Sequence, residues 1–157
     1  MSQVIIIMGS KIDLTHAEKI KNKLDDFSIK NKFYIASAHK TPLKVLDIIK
    51  EHEKNETIFV TIAGRSNALS GFVDAQTHRP VLACPPYSDK FGGNDIYSTL
   101  RMPSGLAPLT ILDPKEVALA CAKIFALHDV DMQKKVEEYQ LSFKKNIAKD
   151  NQDINNG

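Results

Sequence analysis

The sequence predicts an α/β protein in which a parallel sheet is covered by helices on both faces. Runs such as Val4-Ile5-Ile6-Ile7 and Thr57-Ile58-Phe59-Val60-Thr61-Ile62 are continuously apolar rather than alternating, as in strands buried on both faces. Segments with helical apolar spacing separate these runs along the whole chain. The boundaries carry suitable punctuation, with Pro85-Pro86 stopping a strand and Asp113-Pro114 opening a helix.

Taken in order, residues 4–7 form the first strand, and a helix follows over about 13–27. The second strand, Lys32-Phe33-Tyr34-Ile35-Ala36, is short and rich in aromatic and branched residues, and reads as buried. Thr41 is placed to be an N-cap. Pro42 suits the first helical position, where a missing N–H costs nothing, and its helix runs to about Glu53. Residues 57–62 are a third strand ending at Ala63-Gly64, and a short helix follows Asn67. Residues 81–84 form a fourth strand and 109–112 a fifth. Asp113-Pro114-Lys115-Glu116 combines an N-cap, a first-turn proline and a capping-box glutamate, so 114–127 should be helical. With right-handed crossovers these elements make a three-layer α/β/α sandwich on a parallel, flavodoxin-like sheet. Val136, Tyr139, Phe143 and Ile147 form an apolar stripe on a Lys-rich terminal segment. Such a helix docks either on a neighbouring subunit or on its own domain. The expected organisation is one domain over residues 1–149, with 129–149 as the C-terminal helix and 150–157 as a frayed polar tail.

A chain of 157 residues is enough for one domain that buries roughly 68–70% of its unfolded surface. The 21 basic and 19 acidic side chains leave a net charge of +2, which excludes a strong pull toward nucleic acid or a membrane. Cys84 and Cys121 lie in apolar surroundings without metal-ligand or redox spacing. The apolar run at residues 4–8 is too short for a signal peptide or a membrane span, so a cytoplasmic protein is expected. There is no internal repeat, low-complexity tract or linker.

In open α/β sheets, ligands bind beyond the carboxyl ends of the strands. Four loops fall there. In Met8-Gly9-Ser10-Lys11-Ile12-Asp13, glycine permits close approach, helix-start N–H groups favour phosphate, Ser10 can donate to it and Asp13 can accept from ribose. The plainer reading is a helix-capping turn with Asp13 as the cap. Ser37-Ala38-His39-Lys40-Thr41-Pro42 sets a hydroxyl, an imidazole and an ammonium side by side, against the alternative of a buried histidine bonded to backbone beside a solvated lysine. Ala63-Gly64-Arg65-Ser66-Asn67-Ala68-Leu69-Ser70-Gly71 can cradle a compact polar ligand, or simply start a helix with Ser66 or Asn67 as cap. Residues 84–93 read as a flap, in which Cys84 is a core residue rather than a nucleophile. Arg101-Met102-Pro103-Ser104-Gly105 either closes over the site or packs between subunits. His16, His52, His78 and His128 fall on predicted helices or their ends and read as surface positions. No carboxylate pair, Cys/His cluster or Ser-His-Asp arrangement is spaced for metal or hydrolytic chemistry.

Together these loops resemble the PurE family of purine biosynthesis, the aminoimidazole ribonucleotide (AIR) carboxylases and related mutases. Met8-Gly9-Ser10 with Asp13, Ser37-Ala38-His39 with Thr41-Pro42, and Met102-Pro103 with Gly105 stand in the family order, and the resemblance extends from Val4 to about Leu127. It implies a homo-oligomer of four or eight subunits acting on a small nucleotide, without metal, biotin or ATP, and with carbon dioxide as a substrate rather than any cofactor. Lys40 in place of arginine, the short Gly64-Arg65-Ser66-Asn67 loop, Cys84-Pro85-Pro86 and Leu100-Arg101-Met102-Pro103-Ser104-Gly105 resemble the direct (class II) carboxylases. The second loop histidine of the mutases has no counterpart. Ile12 departs from the small polar residue often found at its position.

The resemblance gives His39 the part of general acid/base, since a histidine side chain titrates at roughly 6.5 when unperturbed. Gly9, Ser10 and Lys40 would hold the 5′-phosphate beside Ser37, and Asp13 the ribose. Ser66 and neighbouring backbone N–H groups of the Gly64 loop would hold carbon dioxide or the new carboxylate, with Gly64, Arg65 and Asn67 also counted among the substrate-binding residues. Two other readings stand beside carboxylation. One is the mutase, which moves a carboxylate from N-carboxylated AIR to the ring carbon. The other is a non-enzymatic flavodoxin-like module binding a nucleotide or phosphoryl group through Ser10 and Asp13.

Overall fold

The computed structural model describes residues 2–156. Its strands are β1 Gln3–Met8, β2 Lys30–Ile35, β3 Thr57–Ile62, β4 Val81–Ala83 and β5 Leu109–Thr110. Its helices are α1 Leu14–Asp26, α2 Pro42–His52, α3 Leu69–Asp74, α4 Tyr97–Leu100, α5 Pro114–Phe125 and α6 Val130–Asn155. The strands form one parallel sheet in the order β2-β1-β3-β4-β5, the flavodoxin-like arrangement expected. The chain steps outward from β1 to β2, then returns to the other side of β1 with β3. This reversal opens a crevice beyond the carboxyl ends of β1 and β3. Register brings the loops there to one level: Met8 pairs with both Ile35 and Ile62, Gly9 N–H donates to Ile62 C=O at 2.9 Å, and Ala36 N–H donates to Met8 C=O at 2.9 Å.

Every residue of β1 and β3 is buried, which is why both read as unbroken apolar runs. On one sheet face Ile5, Ile7, Phe59 and Val81 pack with Val45, Ile48 and Ile49 of α2 and Leu69 and Val73 of α3. The alternate residues Val4, Ile6, Ile58, Val60 and Ile62 point to the other face and are equally buried. In α1 the apolar spacing buries Ala17, Ile20 and Leu24.

Several elements differ from expectation. β2 begins and ends earlier than Lys32-to-Ala36, and it is an edge strand with Ile35 51% exposed. Having a partner on one side only, it keeps Lys30 and Lys32 in water. β4 stops at Ala83 and β5 at Thr110, because prolines at 85 and 86 offer no N–H to extend the ladder. The helix after β5 ends at Phe125 rather than Leu127; at its start, Asp113 Oδ1 accepts from Lys115 N–H at 2.8 Å. Thr41 does not cap α2: its hydroxyl accepts from Ser37 N–H at 2.9 Å and donates to Ser37 C=O at 3.3 Å. His52 is buried instead of lying on the surface.

The chain divides into two compact units, one reaching Cys121 and the other starting at Ala122. In the second unit Asp129 caps α6, its Oδ1 accepting from Asp131 and Met132 N–H at 2.9 and 3.0 Å. The helix continues through 150–155, where a frayed tail was expected, since no glycine or proline interrupts it there and Asn155 Nδ2 bonds back to Asn151 C=O at 2.7 Å. Gly157 and Met1 lie outside the described residues. No helix among those residues is long and apolar enough to cross a membrane.

His52 joins α2 to β1 and β2. Gln3 Nε2 approaches its Nδ1 at 3.4 Å, Tyr34 Oη lies 2.7 Å from its Nε2, and the Tyr34 hydroxyl donates to Glu51 Oε1 at 3.0 Å. An amide donor on Nδ1 assigns the proton of the neutral ring to Nε2. Burial lowers the His52 pKa, Glu51 opposes that shift, and Lys32 and Lys30 reinforce it. The unfolded chain therefore binds the extra proton more readily, and stability falls as pH drops below about 6.5. Wild type is expected to lose more stability than His52→Gln between about pH 7 and about pH 5, read from urea midpoints. Equal losses would contradict the assignment.

Candidate active site

A cleft of about 650 Å³ opens at the carboxyl ends of β1, β2 and β3, lined by residues from the turns after all three strands. In the first turn, Ser10 is extended and its Oγ accepts from Ile12 N–H at 3.4 Å, capping the 3-10 turn Lys11–Asp13. Asp13 stands where α1 begins, yet its side chain makes no capping bond to that helix, so the plain capping reading fails. It is nearly buried, at 9% exposure, and lines the cleft. A Cβ on Gly9 would meet Ala63 Cβ at 3.7 Å, an ordinary contact. The fold itself therefore tolerates a side chain there, and its absence widens the cleft.

The second turn is braced through Ser37. Its Oγ accepts from Lys40 N–H at 3.2 Å, its C=O accepts from Thr41 N–H at 2.8 Å, and the Thr41 hydroxyl closes the ring. His39 and Lys40 sit at the tip, both exposed and both lining the cleft. Neither side chain bonds to another described residue, which excludes the reading of His39 as a buried, backbone-bonded histidine.

The third turn is strained. Arg65 has φ +58, a left-handed conformation that costs a residue bearing a Cβ roughly 1–3 kcal/mol. Gly64, Arg65 and Ser66 line the cleft; Asn67 does not. The Asn67 side chain is buried, donating to Ser70 Oγ at 2.7 Å and Thr99 Oγ1 at 3.0 Å and accepting from Ser70 N–H at 3.1 Å. Its polar atoms are spent at the start of α3, one residue before that helix's N-cap position at Ala68, so Asn67 is not placed to bind a ligand in the cleft.

Within residues 84–93, Cys84 is fully buried and desolvation pushes its thiol up to about 12, which leaves it protonated and unsuited to nucleophilic attack. His16 Nε2 lies 3.3 Å from its Sγ, so His16 is half-buried rather than a plain surface histidine. Residues 101–105 do not line the cleft: Met102 packs on α3, its Sδ 3.0 Å from where a Cβ on Gly71 would stand.

A family model described as AIR carboxylase matches residues 3–146. The chain belongs to the AIR carboxylase family. A phosphoribosylaminoimidazole carboxylase of Archaeoglobus fulgidus is 57% identical over 152 residues, covering 97% of this chain and 84% of that one. Another from Treponema denticola is 49% identical over 149 residues and covers 94% of each. The crystal structure of Treponema denticola PurE aligns with TM-score 0.95 at 47% identity over 98% of each chain.

The fold adds two charged cleft residues to this AIR carboxylase family site that sequence reasoning missed. Lys90 enters from the flap, and Asp95 from the 3-10 turn Asn94–Ile96 ahead of α4. Asp95 lies 30 residues beyond Arg65, and no local pattern marks that pairing. Beside the cleft a recess of about 230 Å³ shares Gly64, Pro86 and Asp95 with it and is closed by Pro85, Ile96 and Leu112.

Burial raises the Asp13 pKa above its ordinary value of 3.8, with the Ser10 backbone amide opposing. A carboxyl raised in the fold favours the native state below its unfolded value, and that contribution is lost as pH climbs through the folded value. The uncharged Asp13→Asn variant escapes this loss. Its stability relative to wild type should improve from about pH 3 to about pH 7, measured as the difference in urea midpoints. A constant difference over that range would show that burial does not strain the Asp13 charge.

Proposed function

We propose that this chain carboxylates the ring carbon of AIR directly with carbon dioxide, reversibly giving 4-carboxy-5-aminoimidazole ribonucleotide in de novo purine biosynthesis. One observation carries the reading. An exposed, unbonded His39 shares a cleft with the Ser10–Asp13 turn and the Gly64–Ser66 turn, and it is the one histidine among the described lining residues. AIR is an electron-rich enamine, so its ring carbon attacks carbon dioxide without prior activation. The tetrahedral adduct must then lose a proton to regain aromaticity, and His39 takes it, returning it in the reverse direction.

Ser10 and Lys40 hold the 5′-phosphate, with Gly9 leaving room for it and Ser37 fixing the turn behind Lys40. Asp13 accepts from the ribose. In the Gly64 turn, the Ser66 hydroxyl and the N–H groups of Gly64 and Ser66 have no partner among the described residues. They are free to receive carbon dioxide or the nascent carboxylate. No cofactor or ATP enters this scheme. The proposed setting is cytoplasmic, and the proposed assembly is a homo-oligomer of four or eight copies. Exposed Phe143 and Ile147 on α6 offer a face for it.

Lys40, the short third turn and the missing second histidine support direct carboxylation over the mutase reaction. Supplying purified protein with AIR plus bicarbonate, and separately with N-carboxylated AIR, tests this choice. Product from the first and none from the second is expected. Turnover of the N-carboxylated compound alone would replace this reading by the mutase.

A further inference from the structure

We infer that Asp95 is a positioning residue: its carboxylate holds the Gly64–Ser66 turn in the shape that presents free donors to the cleft. The inference rests on the proposed carboxylation for what those donors bind. The turn has no reason of its own to keep this shape. Arg65 is one of two described non-glycine residues with positive φ, and the other, Ser28, is held by the bonds that end α1, Ser28 N–H to Asp25 C=O and Ile29 N–H to Leu24 C=O. Arg65 has no such local support.

Its support comes from residues 95–98. Asp95 Oδ2 accepts from Arg65 N–H at 3.2 Å. The same oxygen lies 3.8 Å from where a Cβ on Gly64 would stand, so the carboxylate rests against the turn itself. Ser98 Oγ accepts from Asn67 N–H at 2.9 Å, and its proton faces Asp95 C=O at 2.7 Å and Arg65 C=O at 3.3 Å. Asp95 thus ties down the Arg65 N–H, while the neighbouring Gly64 and Ser66 N–H groups stay unpartnered. Removing the carboxylate frees Arg65 to relax toward negative φ, which rotates the neighbouring peptides and misaims both donors.

Two readouts test this. In the ligand-free protein, hydrogen exchange at the Arg65 amide should be on the order of tenfold faster in Asp95→Ala than in wild type. In steady-state carboxylation, D95A should raise KM for bicarbonate by on the order of tenfold and leave KM for AIR within about twofold. Asp95→Asn keeps an oxygen acceptor and should stay near wild type in both. In an Arg65→Gly background, where positive φ costs little, the D95A penalty on bicarbonate KM should shrink to about twofold.

Unchanged Arg65 exchange in D95A overturns the inference whatever the activity. So does D95N falling as far as D95A, which would mean that charge rather than hydrogen bonding matters, and so does an undiminished penalty in the R65G background. A wild type that exchanges as expected but does not carboxylate AIR would refute the proposed function while leaving the hold on Arg65 intact.

Discussion

Replacing His39 with Asn is expected to slow both carboxylation of AIR and decarboxylation of its product by on the order of 10²–10⁴-fold. The amide keeps a similar size and can still hydrogen-bond, but it cannot accept and return a proton at neutral pH. Stability should hardly change, because His39 is exposed and no described residue bonds to its ring. Steady-state rates with AIR and bicarbonate, alongside a thermal unfolding curve, separate the two effects. Wild-type rates in a folded variant would remove His39 from the chemistry, and a collapse of stability would make it a structural residue.

The largest structural effect is expected at Phe59→Ala. Phe59 is completely buried in β3, between β1 and β4, and packs with Ile5, Ile7, Ile48, Val73 and Val81. Truncating a buried phenylalanine costs about 3–5 kcal/mol, against a total of roughly 5–15 kcal/mol for a domain. The urea midpoint should fall by about a fifth or more with the slope unchanged. The damage should reach the cleft, because β3 ends at Ile62, whose carbonyl holds Gly9 at 2.9 Å. Phe59→Leu should recover most of the loss. A cost below about 1 kcal/mol would show that the cluster around Phe59 is not the centre of the core.

The sheet was legible because its central strands are buried on both faces. β3 runs over residues 57–62 as the apolar run indicates, and β1 extends the expected strand by one residue at each end. Edges were less legible. β2 has the aromatic and branched residues of a buried strand but only one neighbour, and sequence does not reveal how many neighbours a strand has. The four strand-end loops could be placed together because a parallel sheet puts their starts on one edge, and residues of all four line the cleft. Individual side chains followed a different rule. Thr41 and Asn67 are good capping types, yet one hydroxyl turns back to Ser37 and one amide reaches across to Thr99. Which polar atoms are consumed by the fold depends on partners far along the chain. Asp95 and Arg65 make the same point for the cleft, and Gln3, Tyr34 and His52 make it for the core.

The proposed chemistry is most directly examined in reverse. Purified protein is given 4-carboxy-5-aminoimidazole ribonucleotide, and AIR, carbon dioxide and N-carboxylated AIR are followed together from the first turnover. Direct exchange at the ring carbon, with His39 returning the proton, predicts that AIR and carbon dioxide appear together in equal amounts without a lag. Accumulation of N-carboxylated AIR ahead of AIR would contradict it.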